Sequence, residues 1–80
     1  MNLEKLLTRQ QFAILRMVAT GYSNSEIARK LVIELRTVER HISDIREKLG
    51  LTEASSGRVL MANSYWRYSG EVPYVPERMT

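Results

Sequence analysis

Two helix beginnings, "LTRQQF" at residues 7–12 and "YSNSEI" at residues 22–27, carry the same four-residue device, and their crowding constrains the fold more than any other feature of the chain. In this device a hydroxyl just before a helix accepts from the backbone amide three residues on, while a Glu or Gln at that third position reaches back to the capping residue's own amide. Thr8 with Gln11, and Ser23 with Glu26, have the required spacing. Leu7 with Phe12, and Tyr22 with Ile27, stand where an apolar pair staples the chain at each start. One helix must therefore end and another begin within a few residues.

The first helix is expected from about Arg9 to Thr20. At about 100° per residue, Phe12, Ile14, Leu15, Val18 and Ala19 share one face, and Gly21 follows as a left-handed end. The second is expected from Asn24 to Leu31, with Ile27, Ala28 and Leu31 turned inward; a helix this short is marginal alone and must be held by its neighbours. "VIE" then connects without Gly or Pro. Leu35, Val38, Ile42, Ile45 and Leu49 recur at alternating spacings of three and four, the inward stripe of a third helix that Gly50 ends. A fourth helix is expected from about Glu53 to Trp66, with Thr52 as cap and Ala54, Gly57, Leu60, Met61 and Tyr65 on its core side. Both prolines fall in the following "RYSGEVPYVPERMT", which reads as an extended or disordered tail. The expected fold class is all-α: a four-helix domain over 1–66 and a C-terminal tail over 67–80.

Composition excludes several functions. The chain has 80 residues, enough for one domain with a small core. It has no cysteine, so neither a disulfide framework nor a thiolate zinc site is expected, and no apolar run approaches the roughly 20 residues of a membrane span. The start "MNLEKLLTRQ" lacks the apolar core of a secretory signal, which makes the cytoplasm the expected location. His41 is the single histidine, with no nucleophile and orienter patterned around it, and the methionines share no spacing. No metal, cofactor or enzyme activity is expected. The net charge of +3 suits a polyanionic partner.

A short helix, a tight turn and a longer helix, buttressed by a preceding helix, make a helix-turn-helix, whose second member enters the major groove of DNA. On the outer face of the third helix, Arg36, Arg40, Ser43 and Glu47 fall together, bordered by Glu39 and Arg46. Arg36, Glu39, Arg40 and Ser43 are the candidate base-reading residues. Thr37, His41 and Lys48 lie along the other border with Asp44, and with Ser23 and Asn24 at the second helix's N-terminus they are the candidate phosphate contacts. Amphipathicity alone favours a plain solvated face, because from Glu34 to Gly50 four basic residues (Arg36, Arg40, Arg46, Lys48) balance four acidic ones (Glu34, Glu39, Asp44, Glu47). The positive excess lies upstream, in Lys5, Arg9, Arg16, Arg29 and Lys30. On the fourth helix, Ser55, Val59, Ala62 and Trp66 form a second stripe opposite the core side; a short surface helix needs one apolar face, so this one is assigned to a homodimer interface anchored by Trp66.

The stretch "LTRQQFAILRMVATGYSNSEIARKLVIELRTVERHISDIREKLGL" resembles the LuxR/GerE-type helix-turn-helix family of bacterial transcription regulators, over roughly residues 7–66. The family pattern is met by Leu7, Thr8, Ala19, Gly21, Ser23, Asn24, Glu26, Ile27, Ala28, Leu31, Thr37, Val38, His41, Ile45, Lys48, Leu49 and Gly50. The resemblance implies a four-helix domain that binds double-stranded DNA through its third helix and often dimerises through its fourth. The chain departs from the pattern at Glu34 (usually Ser), Glu39 (usually Lys), Ser25 (usually Lys) and Gly57 (usually Ala). Glu39 would repel phosphate and accept from cytosine N4, so the sequence read should differ from that of relatives. Met1 lies six residues before the motif, as in a free-standing effector of the small GerE sort or at a boundary within a larger regulator. Two alternatives share the helix-turn-helix: a protein-docking module acting on RNA polymerase or another regulator, which the neutral third helix suits, and a sigma-factor promoter-recognition domain, which the Ser-Asn-x-Glu-Ile-Ala and Lys-Leu-Gly residues disfavour.

Overall fold

A computed structural model describes residues 3–51 and 57–69 of the chain. These form five helices, α1 (Leu3–Leu6), α2 (Arg9–Ala19), α3 (Asn24–Leu31), α4 (Leu35–Lys48) and α5 (Gly57–Ser69), and no strand among the described residues. Elements α2 to α5 are the four expected helices. The additional α1 is a single turn, too short to show any period. Burial of Leu3 and Leu7 in the core holds it, together with the Leu7 amide donating to the Leu3 carbonyl at 2.9 Å.

Both capping boxes form. At α2 the Gln11 amide donates to Thr8 Oγ1 (3.1 Å) and the Thr8 amide to Gln11 Oε1 (3.2 Å). At α3 the Glu26 amide donates to Ser23 Oγ (3.1 Å) and the Ser23 amide to Glu26 Oε1 (2.8 Å). These bonds, the backbone one foremost, hold the Glu26 carboxyl below its ordinary value, with Arg29 and Lys30 acting in the same direction. Glu34, at the head of α4, makes no side-chain capping bond.

Three helices end in the same way, with the last carbonyls taken by the amides of a left-handed residue and of the residue after it. Gly21 (φ 98°) ends α2, its amide donating to Val18 and that of Tyr22 to Met17; Gly50 (φ 74°) ends α4, its amide donating to Glu47 and that of Leu51 to Arg46. At the end of α3 the left-handed residue is Val32, at φ 56°, with amide bonds from Val32 to Arg29 (3.4 Å) and from Ile33 to Ala28 (3.0 Å). A β-branched residue therefore does what glycine does elsewhere in the chain, which is how "VIE" turns without Gly or Pro.

The core gathers Ile14, Leu15 and Val18 of α2, Ile27 and Ala28 of α3, Val38 and Ile45 of α4, and Met61 and Tyr65 of α5, with Leu3 and Leu7 closing one end. Gln11, not expected inside, is buried with them. Its Oε1 also accepts from Lys48 Nζ at 2.8 Å, joining the start of α2 to the end of α4. Leu35, expected at the head of the inward stripe, is instead 43% exposed, because the neighbouring elements cover the stripe fully at Val38 and Ile45 and only in part at its first residue. The last helix begins, among the described residues, at Gly57; Thr52 and Ala54 fall outside them. It continues to Ser69, three residues beyond the expected end at Trp66, so 67–69 do not belong to an extended tail. Tyr65 and Tyr68, one turn apart, both set their edges against Phe12 (centroids 5.9 and 5.8 Å), which fastens this last turn to α2. Burial, followed by the nearby Glu4 carboxylate, raises the Tyr68 hydroxyl above its ordinary value.

Gly57 packs under the far end of the Arg46 side chain. A Cβ there would lie 2.8 Å from Arg46 Cζ and Nε, so the guanidinium of Arg46 occupies the space that the family's usual alanine would need.

Two outcomes are expected in thermal or urea unfolding. Val32→Gly should stabilise the domain by up to about 1 kcal/mol: it removes a left-handed penalty of about 1–2 kcal/mol and adds chain entropy of about 0.5–1 kcal/mol. It uncovers no core, since Val32 is 87% exposed. Gln11→Ala should cost about 1–2 kcal/mol by removing the cap partner and the acceptor of Lys48 together, whereas Gln11→Glu, which keeps both, should be near neutral or better.

Candidate nucleic-acid interface

The two capping boxes and the Val32 reversal set α3 against α4 and leave one long side of α4 uncovered. Arg36, Glu39, Arg40 and Ser43, the expected base-reading residues, are all exposed, as is Glu47. Arg46, which the helical wheel sets on their border, is half-buried against Gly57 instead. The opposite border is sunk into the body. Thr37, His41 and Asp44 are half-buried, and His41 Nδ1 is enclosed without a hydrogen-bond partner.

The remaining expected phosphate contacts have partners within the chain. Ser23 is exposed, but its hydroxyl and amide serve the capping box. Asn24 is half-buried, its Oδ1 accepting from Arg58 Nη1 at 2.7 Å, while Arg58 Nη2 donates to the Tyr22 carbonyl. Lys48 is exposed and donates to Gln11. Arg58 was not among the expected site residues. It lies 34 residues from Asn24, and neither residue's local pattern signals the pairing. The cations of α3 itself are Arg29 and Lys30, in its last turn and both exposed, with Lys30 Nζ 5.5 Å from the centre of the Tyr22 ring.

The expected dimer stripe is only partly open. Val59 is 59% exposed. Ala62 and Trp66 are half-buried, and the Trp66 ring packs edge-on to Tyr65 at 5.2 Å and against the protein's own core. Ser55 lies outside the described residues. Among the described residues no group of His, Asp and Glu is gathered so that it could hold a metal ion, and no helix is long and apolar enough to cross a membrane.

Comparison with known proteins agrees with this geometry. The chain is 47% identical over 47 residues to the oxygen regulatory protein NreC of Staphylococcus aureus strain JH9, and equally so to that of strain USA300. Each alignment takes in 59% of this chain and 22% of the relative, so the matched stretch spans about a fifth of the length of these curated relatives. Residues 5–59 match the family described as bacterial regulatory proteins, luxR family, a span that includes α2, the whole α3–turn–α4 unit and the first turn of α5. A match over more than half of the chain, on the elements that build the exposed α4 face, shows that this protein belongs to the luxR family of bacterial regulatory proteins.

Proposed function

We propose that the protein is a sequence-specific double-stranded DNA-binding transcription regulator of the cytoplasm, with α4 lying in the major groove. The observation that carries this reading is the contiguous exposed row Arg36, Glu39, Arg40 and Ser43 on the helix that follows a short helix and a tight turn. Arg40, in the middle of the row, has the reach and fork geometry to bind guanine O6 and N7, and Glu39 is an acceptor suited to cytosine N4. Thr37, Ser23 and Asn24 border this row as phosphate contacts. His41 would act through Nε2, since Nδ1 is enclosed, and Lys48 through the donors that Gln11 leaves unused. With Arg46 turned to Gly57 and Lys48 bound to Gln11, α4 supplies little of the phosphate attraction. Arg9, Arg16, Arg29 and Lys30, all exposed on α2 and α3, are the cations that would supply it.

Dimerisation through α5 completes the proposal, with Val59, Ala62 and the outer side of Trp66, joined by Ser55, forming a self-complementary contact across a twofold axis. A protein-docking role on RNA polymerase or another regulator is the second reading, favoured by the balanced charge of α4.

In a selection of bound fragments from a genomic library, the purified protein should recover a defined motif. Log affinity for that site should fall linearly with log salt, by roughly 0.9 per phosphate neutralised. Arg40→Ala should cost about 1–3 kcal/mol and relax preference at one position, while Thr37→Ala should weaken all sequences alike. Binding that is absent or indifferent to salt would leave the protein-docking reading standing. For the dimer, sedimentation should show Val59→Asp as a folded monomer, and the wild-type site should be a near-palindrome with half-site centres about one helical turn apart. A wild-type monomer both at high concentration and on its selected site would remove the α5 interface.

A further inference from the structure

We infer that Leu35 is a further specificity-determining residue, reading the C5-methyl group of a thymine in the major groove; this rests on the DNA-binding reading above. Leu35 belongs by spacing to the apolar stripe of α4, yet it is 43% exposed while Val38, the next member, is wholly buried. It is the first residue of α4, and the N-terminal residues of a groove-lying helix are the ones that touch base edges. Four residues separate it from Glu39, so the two side chains stand about 40° apart around the axis, and Leu35 continues the row of Glu39, Arg36 and Arg40 toward the tip. Every other member of that row is polar or charged and pairs with donors and acceptors. The thymine methyl is the one major-groove feature that is neither, and an aliphatic side chain is its complement. Val32, three residues earlier in the adjoining turn, is a second exposed aliphatic residue, at 87%. Covering Leu35 with DNA takes nothing from the core, which is complete beneath it.

The test uses the full chain and the site obtained by selection. Each thymine in that site is replaced in turn by deoxyuridine, which removes the methyl and leaves every hydrogen-bonding group in place, and affinities are measured by fluorescence anisotropy at fixed salt. One such replacement per half-site should weaken the wild type about two- to five-fold, as expected for one buried methyl. Leu35→Ala should lose a similar factor on the thymine duplex and show no further loss on the deoxyuridine duplex. Leu35→Met, which keeps an aliphatic surface, should retain the dependence. Circular dichroism should show Leu35→Ala folded, with a melting temperature lowered by no more than a few degrees, because Leu35 is 43% exposed and lies outside the buried core. If wild type binds its selected site tightly and no deoxyuridine replacement weakens it, or if Leu35→Ala keeps the full loss, the assignment of Leu35 is overturned while DNA binding stands. If wild type selects no sequence at any salt, the DNA reading itself fails and Leu35 falls with it.

Discussion

The reversal between α3 and α4 is completed in three residues, and the direction in which α4 presents its outer face depends on it. Val32 takes a left-handed conformation, the Ile33 amide returns to the Ala28 carbonyl, and the Glu34 carbonyl accepts from Thr37 and Val38 as α4 begins. A non-glycine residue in this region persists only where its surroundings over-determine it. Here Ile27 and Ala28 on one side and Val38 on the other are buried in the same core. The exposed valine is thus held by the apolar residues that flank it in sequence. Without the reversal, the stripe of α4 and the stripe of α3 could not face the same interior, and the eight-residue α3 would not persist alone.

Long polar side chains then tie separate helices of the domain together. Lys48 reaches Gln11 at the start of α2, Arg58 reaches Asn24 and the Tyr22 carbonyl at the start of α3, and Arg46 fills the space above Gly57 at the start of α5. These contacts redistribute charge as well as fasten helices. Of the four cations between Glu34 and Gly50, Arg36 and Arg40 remain on the outer face, among Glu34, Glu39 and Glu47. The row that reads bases in the proposed complex is accordingly not the source of long-range attraction to DNA. In a domain of this design, affinity would come from α2 and α3 and discrimination from α4, so the two could change independently.

Much of this was legible in the residues because the signals are local. A capping box needs only four consecutive residues, and both formed where Thr8 and Ser23 marked them. Gly21 and Gly50 took the left-handed ends their positions suggested. The stripes of α2 and α3 were inward as their spacing required. What escaped was whatever needs two distant segments to meet. Leu3 makes a helix of "LEKL" only by being buried, and α5 runs to Ser69 because Tyr68 finds Phe12 on another helix. Arg46 and Lys48 carry charges that a helical wheel assigns to solvent or to phosphate, and a neighbouring element claims both. Leu35 obeys the period of its stripe and is nevertheless 43% exposed, because periodicity records which side of a helix is apolar, not how much of that side its neighbours cover.

By itself, then, the sequence determined where α2, α3 and α4 begin and end, which sides of them are apolar, and which family they resemble, since caps, left-handed glycines and three-four spacings act within a few residues of chain and are strong enough to read without a partner. The tertiary structure decided which of the apolar and charged residues are left over once the helices have packed: Leu35 and Val32 outside, Gln11 inside, Arg46 against Gly57, Arg58 on Asn24. Those outcomes depend on helix length, crossing and reach between residues tens of positions apart, and no local preference encodes them. The physical reason is that a side chain's surroundings are set by the packing of whole elements, whereas an element's boundaries are set largely by residues within a few positions of its ends.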